Sequence, residues 1–207
     1  MERFSSFFDT IFPQQYSLLN AYVELLKTWN EKINVVSRKD VDALKERHIL
    51  PVLPASQLKC FLKAKTILDV GTGGGIPGIP LAILFPEVEF TLVDSIQKKI
   101  KVVQSIVEVL DLKNVRTECC RVETLTEHYD VIVGRGVTAF SDFVKLVRNK
   151  LRNKNSSIVY WTGGDVNTLL GSQMKRYVQC IDLENFFAHR FCETKKILCY
   201  SQSFSHK

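Results

Sequence analysis

No stretch of the chain approaches the roughly 18 uncharged apolar residues that a membrane-spanning helix needs. The opening Met1-Glu2-Arg3-Phe4 also lacks the basic-then-apolar pattern of a secretory leader, so a cytoplasmic protein without a membrane partner is expected. The six cysteines, Cys60, Cys119, Cys120, Cys180, Cys192 and Cys199, form no CxxC pair. This argues against a disulfide framework and a structural zinc site. No metal is therefore expected, and the thiols read as reduced, mostly buried, small hydrophobes. Internal repeats and low-complexity tracts are missing as well, which excludes solenoid and tail-like architectures.

What is present describes an ordinary globule: 207 residues suit one full-sized domain plus a short extension. A formal charge of +6 favours a polyanionic partner, since lysines and arginines gain by releasing counterions from a phosphate backbone. From Ser5 to Gln57 the chain reads as two or three helices, with Tyr16, Leu19, Tyr22, Val23, Leu26 and Trp29 forming one apolar stripe at three- and four-residue steps. Asp40 is placed to cap a second helix running through Glu46, and Pro51 and Pro54 to close the segment. Residues 1–57 are thus expected to be a helical extension packed on a main domain of residues 58–207.

From Lys65 onward short β-branched runs alternate with amphipathic stretches, the pattern of βαβ units in a doubly wound, mostly parallel sheet of about seven strands. Strands are expected at Thr66–Val70, Val88–Val93, Asn114–Glu118, Asp130–Val133 and Ser157–Trp161. Helices are expected at Pro77–Phe85, Ile96–Leu110 and Ser141–Leu151. Tyr177–Leu183 and Lys196–Ser201 read as a closing antiparallel pair.

The first strand runs into Asp69-Val70-Gly71-Thr72-Gly73-Gly74-Gly75-Ile76-Pro77-Gly78, which opens the first of these helices. Gly71, Gly73 and Gly75 allow positive φ and close approach of backbone to a ligand, at the carboxyl edge where open α/β sheets bind their ligands. Asp94, ending the second strand, can accept hydrogen bonds from both ribose hydroxyls of an adenosine. A nicotinamide dinucleotide and S-adenosylmethionine both contain adenosine, and a structural turn without a ligand is a third reading. The Asp69 carboxylate tilts the choice, because it suits an ammonium and a sulfonium better than a pyrophosphate.

The run Asp69 to Leu81, with Phe90-Thr-Leu-Val-Asp94-Ser95 and Lys98-Lys99 after it, resembles the bacterial small-subunit ribosomal RNA guanine-N7 methyltransferases, also called glucose-inhibited division protein B. Trp29-Asn30, Ile33-Asn34 and Arg47-His48-Ile49-Leu50 match that family upstream. Arg121-Val122-Glu123 and Gly134-Arg135-Gly136 match it downstream, and Glu193-Thr194-Lys195-Lys196 is a weaker echo. Pro51 and Thr162 depart from the family pattern, which has a polar residue and a lysine there. The resemblance implies a Rossmann-like class I methyltransferase fold, S-adenosylmethionine as cofactor and 16S ribosomal RNA or the small ribosomal subunit as partner. It places cofactor contacts on Gly71, Ile76, Val122, Glu123 and Arg135, with Asp94 as the ribose acid. Apart from the resemblance, Arg135 is one candidate for orienting the target base.

The chemistry agrees with what is missing. There is no Asn/Asp-Pro-Pro-aromatic clamp for an exocyclic amine and no cysteine beside a proline for pyrimidine C5. Guanine N7 has a free lone pair and needs no general base, only alignment. Its major-groove edge is hidden in A-form RNA, so an unpaired, extruded guanine is expected. Tyr160 and Trp161 are candidates for stacking on it. The cluster Arg38, Lys39, Lys45, Arg47 and His48 is expected on the RNA, against the plainer reading of His48 as a satisfied, partly buried histidine. Lys98, Lys99 and Lys101 read equally well as a solvated helix face. A monomer is expected. A nicotinamide-dependent oxidoreductase and a noncatalytic RNA-binding assembly factor stand as the alternatives.

Overall fold

The computed structural model describes residues 12–165, 170, 172–187 and 190–206. Helix α1 (Pro13–Lys32) buries the expected stripe through Leu19, Tyr22, Val23 and Leu26. The chain after it does not form the expected capped helix. A single turn at Arg38–Asp40 leads to a wide π-type turn at Lys45–Ile49, which continues directly into a 3-10 helix at Leu50–Gln57. Asp40 caps nothing; its carboxylate instead binds the Arg47 guanidinium at 2.5 Å. Pro51 and Pro54 lie inside the buried 3-10 helix rather than ending the segment. Pro51 is tolerated because the first helical turn has no use for its missing N–H.

A short helix α2 (Lys59–Leu62) precedes the sheet, whose strands are β1 (Thr66–Val70), β2 (Glu89–Asp94), β3 (Val115–Cys119), β4 (Val131–Arg135), β5 (Ser157–Gly163), β6 (Val178–Asp182) and β7 (Lys195–Ser201). They are ordered β3-β2-β1-β4-β5-β7-β6. β1 to β5 run parallel, while β7 is antiparallel to both β5 and β6. The parallel connections carry α3 (Gly78–Leu84), α4 (Gln97–Val109) and α5 (Phe140–Val147), each within a few residues of its expected position. The central strands are covered on both faces, which is why their sequences read as nearly unbroken apolar runs.

Two buried clusters fill the faces. One joins Leu19, Tyr22 and Leu26 of α1 to Ile67, Ile79 and Leu92, so the N-terminal helix shares a core with the sheet. The other packs Leu68 and Val70 against Phe140, Phe143 and Val147. The two-residue alternation of β1 therefore sends Ile67 and Asp69 to the α1/α3 face and Leu68 and Val70 to the α5 face.

The cysteines are all free, but only Cys192 and Cys199 are buried; Cys119 and Cys180 are exposed. The expectation that most of them fill the core is corrected accordingly. Among the described residues no group of three or more His, Cys, Asp or Glu could hold a metal ion, and no helix is long and apolar enough to cross a membrane.

Candidate functional site

The turn between β1 and α3 is held by three anchors. Backbone N–H groups of Gly71 and Thr72 both donate to the Val93 carbonyl, which ties the turn to β2. Asp69, fully buried, accepts from the Thr72 hydroxyl at 2.7 Å and from Gly78 N–H at 2.9 Å. The buried Tyr22 hydroxyl donates to the Gly74 carbonyl at 2.8 Å, bringing α1 onto the turn from outside. Gly71, Gly73 and Gly75 all have positive φ, as the sequence predicts. They differ in surroundings. A Cβ on Gly75 would lie 2.5 Å from Ile79, whereas one on Gly73 would meet only carbonyl oxygens at 3.9 and 4.0 Å. Gly73 thus presents bare backbone to open space, and Gly75 is there for packing. Ile76, 9% exposed, belongs to the core under the turn.

Asp69 does not face a ligand. Strand alternation points it beneath the turn, and it acts as a strut. Burial raises its pKa to about 7, with the charge of Asp94 adding to the effect against the hydrogen bonds from Thr72 and Gly78. Its second oxygen, Oδ1, is buried without a partner, the natural seat for the proton of a neutral carboxyl.

Asp94 ends β2 at the same carboxyl edge. Its Oδ2 accepts from Gly73 N–H at 3.1 Å and its Oδ1 from Ile96 N–H at 2.9 Å, so the carboxylate is aimed at the glycine turn. Lys99 Nζ lies 3.7 Å from Oδ2. The solvated-face reading of Lys98 and Lys101 holds, both being exposed, but Lys99 leans over the site. Val122, buried, and Glu123, exposed, sit in the single turn after β3, where Lys150 Nζ donates to the Glu123 carbonyl at 3.2 Å.

Arg135 ends β4 and joins the N-terminal segment across 87 residues of sequence. Its guanidinium donates to the His48 carbonyl at 3.1 Å and makes a second contact with His48 Nδ1. Arg135 has only donors, so Nδ1 must accept and the imidazole proton sits on Nε2. Nε2 lies 3.4 Å from Asp40 Oδ2 without hydrogen-bond alignment. Burial, reinforced by the Arg135 charge, pushes the His48 pKa down to about 4, so the ring is neutral. Burial also lowers Arg135, to about 10, which leaves it cationic at neutral pH. Arg135, His48, Asp40 and Arg47 therefore form one chain of contacts. The Arg38 side chain lies outside the described residues.

Both aromatic candidates turn inward. Tyr160 is 2% exposed; its hydroxyl accepts from Val137 N–H and Thr138 N–H and donates to the Thr138 carbonyl. Trp161 is 4% exposed and donates its indole N–H to the Pro51 carbonyl at 2.9 Å. Both rings are thus held by their polar groups and almost wholly buried. Tyr22, Asp40 and Phe191 were not singled out as site residues by sequence. Tyr22 read only as a member of the α1 stripe and Asp40 as a cap. The signal for Phe191 was its place two residues before the family-like Glu193–Lys196.

The sequence profile of GidB, rRNA small subunit methyltransferase G, matches residues 15–189. A Ribosomal RNA small subunit methyltransferase G from Cytophaga hutchinsonii is 43% identical over 203 residues, covering 96% of this chain and 98% of that one. Its counterpart from Flavobacterium johnsoniae is 42% identical over 205 residues, covering 96% of each. Among solved structures, the fold is similar to a precorrin-6y C5,15-methyltransferase from Geobacter metallireducens (TM-score 0.52, 14% identity, 81% of this chain and 90% of that one). It is also similar to an O-methyltransferase family protein from Burkholderia thailandensis (TM-score 0.53, 11% identity, 83% and 62%). The seven-stranded sheet is thus that of Rossmann-like class I methyltransferases, and the chain belongs to the rRNA small subunit methyltransferase G family.

Proposed function

We propose that the protein transfers a methyl group from S-adenosylmethionine to N7 of an unpaired guanine in 16S ribosomal RNA. The observation that carries this reading is the pairing of the open Gly73 backbone with the Asp94 carboxylate, 3.1 Å apart at the carboxyl edge of the sheet. A carboxylate at this place suits the two ribose hydroxyls of an adenosine, and bare positive-φ backbone lets a ligand come close. Gly71, Ile76, Val122, Glu123 and Arg135 complete the cofactor set by their place around the turn and the ends of β3 and β4.

The cofactor, when bound, supplies a methyl group activated on a sulfonium. The chain's residues align the guanine so that the N7 lone pair forms the new N–C bond as the C–S bond breaks and sulfur keeps its electron pair. No proton moves, so no general base is needed, and alignment is the main source of rate. Arg135 is suited to donate to guanine O6, next to N7 on the same edge. The neutral His48 holds Arg135 from behind without adding a second charge. Arg47 belongs to the RNA side, with Asp40 setting its direction.

The test is transfer of labelled methyl to small-subunit RNA or particles lacking the modification, followed by mapping of N7-methylguanine. Label at one guanine N7 is expected. Label elsewhere, or NADH binding in place of S-adenosylmethionine by equilibrium dialysis, would overturn the reading.

A further inference from the structure

A cavity of about 300 Å³ opens where the carboxyl ends of β4 and β5 meet β7. This is the lower end of the ~300–1,000 Å³ range of ligand pockets, room for one nucleotide and too little for a duplex. The cations Arg47, Arg135, Lys195 and Lys196 line it, and among the described residues no acidic one does. Asp40 offsets Arg47 and Asp182 offsets Lys196, which leaves the cavity cationic through Arg135 and Lys195. Its wall is open at Gly136, which has φ of +65° and where a Cβ would meet nothing within 4 Å.

With Tyr160 and Trp161 committed to holding the 136–138 loop and the Pro51 segment, Phe191 is the half-buried ring on the wall. Lys195 Nζ lies 5.1 Å and the Arg47 guanidinium 5.8 Å from its centroid. A ring bordered by cations suits a nucleotide: the base takes the aromatic face, and the displaced ammonium meets the phosphate. The loop after β4, whose Gly136 and Thr138 line this cavity, also reaches the glycine turn: Val137 closes on Gly71 so tightly that a Cβ there would lie 2.9 Å from it. Pro51 and Thr162, the two departures from the family pattern, line the same cavity.

We propose that this cavity seats the extruded target guanosine, with the base stacked on Phe191 and its phosphate held by Lys195, assisted by Arg47. The assignment rests on the methyl-transfer reading above. It makes Phe191 and Lys195 substrate-selecting residues that do not touch the cofactor.

The test uses the full-length protein with an unmodified small-subunit rRNA fragment as probe. RNA affinity by filter binding, KM for RNA and cofactor affinity by equilibrium dialysis are measured for Phe191→Ala, Phe191→Tyr and Lys195→Ala. Phe191→Ala is expected to weaken RNA binding and raise KM by roughly ten-fold or more while cofactor affinity stays unchanged, and Phe191→Tyr to restore both. Lys195→Ala is expected to reduce the slope of log affinity against log salt by about 0.7, the loss of one single-strand phosphate contact. Wild-type RNA affinity and KM in Phe191→Ala would overturn the proposal, as would an equal loss of cofactor affinity, which marks a structural role. Absence of methyl transfer by the wild type would refute the proposed function instead, and the RNA affinities of the variants would still decide the fate of the cavity assignment.

Discussion

Asp69 and His48 should give this protein two opposed pH dependences of stability that partly offset in the wild type and separate in single variants. Burial raises Asp69 from 3.8 to about 7. A raised folded pKa means the folded state keeps a proton the unfolded state gives up, so the stabilisation is full below about pH 4 and is lost as pH rises through 7. Burial lowers His48 from 6.5 to about 4. Here the folded state refuses a proton the unfolded state accepts, so stability is full above about pH 6.5 and is lost as pH falls toward 4. At 1.36 kcal/mol per pKa unit the upper limits are about 4 kcal/mol for Asp69 and about 3 kcal/mol for His48, over nearly the same window. Urea unfolding between pH 4.5 and 7.5 reads the difference directly. Wild type should vary less with pH than either variant, Asp69→Asn should gain stability as pH rises, and His48→Asn, which keeps an acceptor for Arg135, should lose it. If the two variants slope the same way, the buried charge states assigned to the site are wrong.

Tyr22→Phe keeps the ring but strands the buried Gly74 carbonyl that accepts from its hydroxyl. The expected cost is about 1–3 kcal/mol. By calorimetry this lowers Tm by about 2–4 °C per kcal/mol in a chain of this size. An unchanged Tm would show that α1 does not brace the turn through this bond. Gly73→Val should lose roughly 1–3 kcal/mol of stability, because φ is +59° there. It should abolish S-adenosylmethionine binding in equilibrium dialysis, since the new side chain projects into open space; unchanged affinity would remove the turn from the cofactor site. Gly134→Ala places a Cβ 2.4 Å from the Phe143 ring and should destabilise by about 1–3 kcal/mol. Wild-type urea stability would mean the ring yields freely. Asp94→Ala removes an acceptor from Gly73 and Ile96 together. It should weaken cofactor affinity at least ten-fold while the fold persists by circular dichroism, and retained affinity would dismiss Asp94 as the ribose acid.

The sheet was legible in the sequence because each strand and helix advertises its own face. β1 falls at Thr66–Val70 as expected, and β2 and β3 lie one residue from their expected places. The glycine turn and Asp94 were legible for the same reason: both lie at strand ends, and the carboxyl edge of a parallel sheet is defined by strand direction alone. Contacts between distant segments were not legible. No local pattern pairs His48 with Arg135 or seats Tyr22 on Gly74; strand order and the path of the N-terminal segment decide those meetings. Composition identified aromatics near the end of β5 but not their direction. A hydroxyl that satisfies the Val137 and Thr138 N–H groups is worth more buried than displayed, so Tyr160 turned in and Phe191 remained on the wall. Local chemistry therefore determined the fold class, the turn and its acidic partner, while tertiary packing decided which side chains face the ligand. Residue spacing specifies a face, and only the packed neighbours specify what that face meets.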